Sequence, residues 1–197
     1  MSMQKWLTRG MLGLLLTLGS YAAHAGDSPS DGMLAHKPMV LRQLVIMQHP
    51  QALADITLTD DKGLPRKLTD HPGRITILSL WATWCTLCVR DLRHLQQLEA
   101  KLDPQQIVIV PLSIDTELAL IAPFLQQHQL HFKRMWRDPQ QQLGQILPTD
   151  VVPATFLLDA QGQLMGFVRG YVDWADDAVA PYLRQLAAHS LKEASHP

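Results

Sequence analysis

Along most of the chain apolar residues fall into short runs separated by polar turns, and the spacing inside each run predicts its element. Ala54 to Thr59 alternates as a strand does, Asp60-Asp61-Lys62-Gly63 supplies turn residues, and Pro65 to Leu68 reads as a short returning strand, so an N-terminal β-hairpin is expected. Ile75-Thr76-Ile77-Leu78-Ser79-Leu80-Trp81 is a β-branched apolar run suited to a central strand buried on both faces. From Cys88 to Leu102, apolar Leu92, Leu95, Leu98 and Leu102 recur at helical spacing until Asp103-Pro104 stops them. Ile107 to Ile114 reads as a second buried strand and Thr116 to His128 as a second helical stretch. Ala154 to Leu158 and Leu164 to Arg169 read as strands joined by Asp159-Ala160-Gln161-Gly162, and Trp174 to Ala188 as a closing helix. Strand, helix, strand, helix implies a parallel crossover of right-handed connection. The expected class is α/β, with a central mixed sheet and helices on both faces.

The first residues follow another logic. Lys5 and Arg9 form a short positive region, Gly10 to Gly19 is a Leu-rich apolar run, and Ala23-His24-Ala25 places small residues where a signal peptidase cuts. Residues 1–25 are therefore expected to be a cleavable signal peptide directing export. An N-terminal membrane anchor is disfavoured, because the apolar run is well short of the ~20 residues a spanning helix needs. Residues 26–50 are expected as a lead-in or linker, rich in Asp, Ser, Gly and Pro at first, with Met39 to Met47 able to form a short apolar helix or an edge strand. Residues 51–190 carry the domain and 191–197 a C-terminal tail. Met33, His36, Met39, Met47 and His49 offer side chains that suit copper, but they lack tight Met-x-x-Met or His-x-His spacing and read as packing material.

Composition narrows the classes further. In 197 residues, 47% hydrophobic and 18% charged positions exclude a disordered chain, 11 glycines exclude a collagen, and two cysteines exclude a disulfide-stapled scaffold. Seventeen basic against 18 acidic residues give a net charge of −1, so there is no electrostatic footprint for nucleic acid. The roughly 170 residues left after cleavage bury about 70% of their unfolded surface, so the fold needs no staple and both cysteines are free for chemistry.

That chemistry sits at Trp81-Ala82-Thr83-Trp84-Cys85-Thr86-Leu87-Cys88. A Cys-x-x-Cys at the end of a strand, opening a helix, puts the first sulfur beside unsatisfied amide donors. Free cysteine titrates near ~8.5, and such placements lower it to between about 3.5 and 7.5, which makes Cys85 a nucleophile at neutral pH. Cys88, one turn on, can close a disulfide and expel whatever Cys85 has attacked. A zinc site would need two more ligands where the chain has no other cysteine, and a haem site would need His where Val89 stands. A purely structural disulfide would close a loop too short to gain much chain entropy. No metal and no cofactor are expected.

The apolar strand followed by Trp-Ala-Thr-Trp-Cys-x-x-Cys, then Val152-Pro153-Ala154-Thr155-Phe156, Asp159-x-x-Gly162 and Gly170-Tyr171-Val172-Asp173-Trp174, resembles the TlpA/ResA-type thioredoxin-like thiol-disulfide oxidoreductases. The resemblance covers roughly Pro50 to Leu186 and implies a thioredoxin-like fold. It also implies an exported, membrane-anchored or periplasmic enzyme that reduces protein disulfides, with cysteine-bearing partners such as apocytochrome c or copper-site assembly proteins, and a membrane thiol electron donor; with a cleaved leader the expected compartment is the periplasm. It makes Val152-Pro153 a cis-proline step beside Cys85, able to pair with an extended substrate segment. Trp81 and Trp84 are the candidates to shape a substrate groove, with the core the equal alternative for Trp81. Asp91 stands where the family usually has a Glu acid, and it either takes the proton of Cys88 or merely complements the helix N-terminus from solvent. Ser79 takes the place of the buried Asp of ordinary thioredoxins, and Thr86-Leu87 departs from the family's usual proline. Arg90, Arg93 and His94 are expected on a solvated helix face; Phe156, Phe167, Tyr171 and Trp174 as packing. The alternatives are a disulfide-donating oxidase, a copper-binding chaperone module using Cys85 and Cys88, and a non-catalytic adaptor.

Overall fold

The computed structural model describes residues 37–194; the expected signal peptide and the first part of the lead-in, with Met33 and His36, lie outside them. Two fully buried strands, β4 (Ile75–Trp81) and β5 (Ile107–Ser113), pair in parallel from Ile75 opposite Ile107 to Trp81 opposite Ser113. Helix α1 (Thr86–Lys101) makes the crossover between them. A hairpin of β7 (Ala154–Leu158) and β8 (Leu164–Arg169) adds antiparallel strands beside β4. β1 (Val45–Gln51) extends that side against β8. On the other side come β6 (Trp136–Arg137) and the small hairpin of β2 (Leu58–Asp60) and β3 (Pro65–Arg66). The eight-stranded mixed sheet runs β1-β8-β7-β4-β5-β6-β2-β3, which bears out the expected α/β class.

Strand periodicity divides the core. Ile75 and Ile77 join Ile107 and Ile109 under Leu95 and Leu98 of α1 and Leu183 and Leu186 of helix α3 (Val179–Ala194). Leu78 and Leu80 point the other way with Val108, Val110 and Phe156, closed over by Ile56, Leu68, Leu143 and Leu147. The period of two places Ser79 on the same side as Ile75 and Ile77, toward α1. A third cluster gathers Trp81, Cys85, Cys88 and Leu92 with Ile121 of helix α2 (Ile121–Gln127) at the C-terminal end of β4.

Boundaries moved where local chemistry opposed the period. The helix expected over Thr116–His128 is a 3₁₀ turn at Leu118–Leu120 followed by α2, because Pro123 has no amide for the carbonyl four residues back and so belongs in a first turn. The closing helix starts at Val179 rather than Trp174 and runs through Ala194, past the expected start of the tail at 191. Asp173 and Asp176 accept the amides two residues on, holding Ala175 and Ala178 in turns before the helix can begin. The lead-in of 26–50 supplies an element of the sheet: a 3₁₀ turn at Met39–Leu41 and then the edge strand β1. Gly166 permits that pairing, since a Cβ there would come within 2.7 Å of the Val45 carbonyl oxygen.

Candidate active site

The turn from β4 into α1 is fixed before any cysteine enters the account. Asp115, buried just past the end of β5, accepts the Thr83 amide at 3.0 Å and the Thr83 hydroxyl at 2.7 Å, and its second partner is the Ser113 hydroxyl at 2.8 Å. The Ile114 amide bonds the Trp81 carbonyl and the Cys85 amide bonds the Ala82 carbonyl. Sequence reading missed Asp115; its position one residue after an apolar strand gave no sign of its partner in a distant turn.

Cys85 is the N-cap of α1. Its sulfur accepts the Cys88 amide at 3.2 Å, an amide that also reaches the Cys85 carbonyl at 3.1 Å, so a helix-start donor is shared between that carbonyl and the sulfur. The two cysteines form a disulfide with their Cα atoms 5.3 Å apart. They are unequal in access: Cys85 keeps 7% of its surface and Cys88 none. Cys85 Sγ lies 3.7 Å from the carbonyl oxygen of Val152, and the Val152–Pro153 bond is cis. Trp84, 69% exposed, and the exposed Leu87 flank Cys85 in the chain, while exposed Val151 precedes Val152, leaving an apolar rim around the accessible sulfur.

Asp91 follows Cys88 by one helical turn and is 1% exposed, which rules out the solvated position open to it in the sequence. Its Oδ1 accepts the Trp174 indole N–H at 3.1 Å and the Val172 amide at 3.4 Å, and Oδ2 accepts the Ser79 hydroxyl at 3.5 Å. Burial pushes its carboxyl up to about 7, against the downward pull of those three neutral donors. A carboxyl poised there can both take and give a proton near neutrality.

Two residues expected as simple packing have a second task. Trp174 packs in the core and also bonds Asp91, and Tyr171 bonds the His94 ring nitrogen at 3.0 Å while Arg90 lies 4.5 Å above its ring. His94, expected on a solvated face, is half-buried and meets Asp173 at 2.7 Å. Tyr171 to Asp173 carried no helical or strand signal, and Trp174 read as the start of the closing helix, so the pattern gave no sign of these contacts. Phe156 is core as expected. Among the described residues no group of three His, Cys, Asp or Glu side chains is placed to hold a metal ion.

Comparison with known proteins places this geometry in context. The AhpC/TSA family model matches residues 50–166. A thiol-disulfide oxidoreductase ResA from Geobacillus kaustophilus is 28% identical over 116 residues, 59% of this chain and 66% of the relative, so the match spans just under two thirds of that protein. A secreted thiol-disulfide isomerase from Corynebacterium glutamicum superposes with a TM-score of 0.61 at 20% identity, covering 76% of this chain and 96% of the other. StoA from Bacillus subtilis does so at 0.53 and 19%, covering 71% and 98%. The resemblance to TlpA/ResA-type proteins drawn from the motifs is borne out.

Proposed function

This chain belongs to the AhpC/TSA family, and we propose from that membership and from the site that it is a thiol-disulfide oxidoreductase that reduces protein disulfides. The observation that carries the reading is the pairing of an accessible N-cap sulfur, Cys85, with a sealed partner, Cys88, one turn behind it. In the reduced protein the Cys85 thiolate, stabilised by the Cys88 amide, attacks one sulfur of a substrate disulfide and releases the other as a thiolate. Asp91, ionised, takes the proton of the Cys88 thiol. The Cys88 thiolate then attacks Cys85 Sγ, expels the second substrate sulfur, and restores the Cys85–Cys88 disulfide. Two electrons pass to the substrate, and a thiol donor must return them before the next cycle.

Sealing Cys88 has a chemical reason: only Cys85 can meet an external disulfide, so the mixed intermediate has one composition and one internal route out. The Val152 carbonyl beside Cys85 and the residues around it offer backbone to an extended segment, with Pro153 and the Trp84 ring bounding the groove. Cysteine-bearing apocytochrome c or copper-site assembly proteins fit as substrates, a membrane thiol protein fits as donor, and the periplasm fits as the compartment. Among the described residues no helix is long and apolar enough to cross a membrane. N-terminal sequencing of the exported protein tests the leader, with Gly26 expected first and an intact Met1 overturning it.

The activity is tested by insulin reduction under a thiol donor. Wild type should accelerate precipitation of the insulin B chain and Cys85→Ser should not; a wild-type rate equal to that of the donor alone would remove the proposal.

A further inference from the structure

The segment from Tyr171 to Trp174, between β8 and α3, faces two ways. Its even members turn inward to Asp91: the Val172 amide and the Trp174 indole N–H supply two of the three donors on that carboxyl, both to Oδ1. Its odd members turn outward to α1: the Tyr171 hydroxyl and the Asp173 carboxylate both reach His94 Nδ1, at 3.0 and 2.7 Å, and Arg90 covers the Tyr171 ring. His94 is three residues after Asp91, so one helix presents the carboxyl to the inside of the segment and the imidazole to its outside.

We infer that Tyr171–Trp174 is a strap that positions Asp91 for proton transfer, with Trp174 as its inner contact and His94 as the pin that holds it on α1. This rests on the oxidoreductase reading for its purpose but not for its test. A buried carboxyl with no cation among its contacts depends for its ionised form on neutral donors alone, and two of its three are delivered by the strap. Backbone in this stretch is neither helix nor strand, so no ladder keeps it in place. What fixes it is the pair of contacts on each side: packing and hydrogen bonding of Trp174 within, and the His94–Tyr171–Asp173 cluster without. Loosening either side would withdraw donors from Oδ1 and disfavour the carboxylate. The titratable and charged groups around Asp91 are Cys88, Arg90 and His94 along α1 and Tyr171 and Asp173 on the strap; from β4 the neighbour is the neutral hydroxyl of Ser79.

The test reads Asp91 itself. In the oxidised protein, where neither cysteine titrates, the side-chain carboxyl carbon of Asp91 is followed by NMR against pH in wild type, Trp174→Phe and His94→Gln. Trp174→Phe keeps the aromatic bulk and deletes one donor; its midpoint should rise by about one pH unit, as loss of a hydrogen bond to a charged group implies. His94→Gln, at a half-buried position outside the core clusters, should raise it in the same direction by less, and Asp177→Asn, which breaks only the exposed pair with Lys101, should leave it unmoved. A midpoint unchanged in either Trp174→Phe or His94→Gln overturns the strap, as does an equal rise in Asp177→Asn. If Trp174→Phe does not fold, His94→Gln alone decides. None of these outcomes depends on insulin reduction, so failure of the strap and failure of the proposed activity are separately visible.

Discussion

Asp115 binds Thr83 through both its backbone amide and its hydroxyl, joining the end of β5 to the turn that delivers Cys85. Together with the Ser113 hydroxyl, three donors converge on one buried carboxylate. Removing it strands them. Asp115→Ala should cost about 3 kcal/mol of unfolding free energy, and Asp115→Asn, which keeps one acceptor oxygen, clearly less. Urea titration of both variants checks this; equal stabilities would show that the turn holds itself.

The inequality of the two sulfurs predicts opposite failures. Cys85→Ser should abolish insulin reduction and form no covalent complex. Cys88→Ser should attack once and stall, accumulating a mixed disulfide that non-reducing gels reveal and dithiothreitol releases. Complexes trapped by Cys85→Ser instead would reverse the assigned roles.

Asp91 links the site to stability. With its folded value raised to about 7 and an unfolded value near 3.9, the folded protein holds a proton between those limits that the unfolded chain has lost. Its contribution is therefore fully present below about pH 4 and lost as pH rises through about 7, a span on the order of 4 kcal/mol. Asp91→Asn has no such loss, so the stability difference between variant and wild type should move in the variant's favour between pH 4 and 8. A constant difference across that range would contradict a buried, proton-holding carboxyl.

His71 works in the opposite sense. Burial, reinforced by nearby Arg74 and Arg134, lowers its imidazole from 6.5 to about 4, and it stacks neutral on Trp136 with Thr76 at 3.3 Å. Its contribution is present above about pH 6.5 and lost as pH falls through about 4. Over the shared window the two slopes oppose each other, so wild type should be nearly flat there. His71→Gln should expose a fall in stability with rising pH, and Asp91→Asn a rise. Parallel curves for all three proteins would refute both assignments.

The strands Ile75–Trp81, Ala154–Leu158 and Leu164–Arg169 were legible in the sequence to the residue, because unbroken apolar runs bounded by turn residues leave few alternatives. β6 was not: two residues, Trp136 and Arg137, have no period to read, and they are strand only because β5 and β2 lie on either side. The same division runs through the site. Cys85, Cys88, Val152 and Pro153 announce themselves by motif, and Asp91 by its turn from Cys88. Trp174, Tyr171, Asp115 and Ser79 act through contacts made across the fold, so residue type alone could assign them only to packing, turn or strand.

The two outer strands of the sheet have a consequence beyond the site. β1 slips register between Ile46 and Gln51 and contains Pro50, while β3 is two residues long and begins with Pro65. Neither rim presents a long regular row of free amides and carbonyls, so copies of this molecule find no template along which to polymerise edge to edge. With cysteine-bearing chains docking at Cys85, as proposed, these blunt rims keep the sheet itself from recruiting them into fibrils.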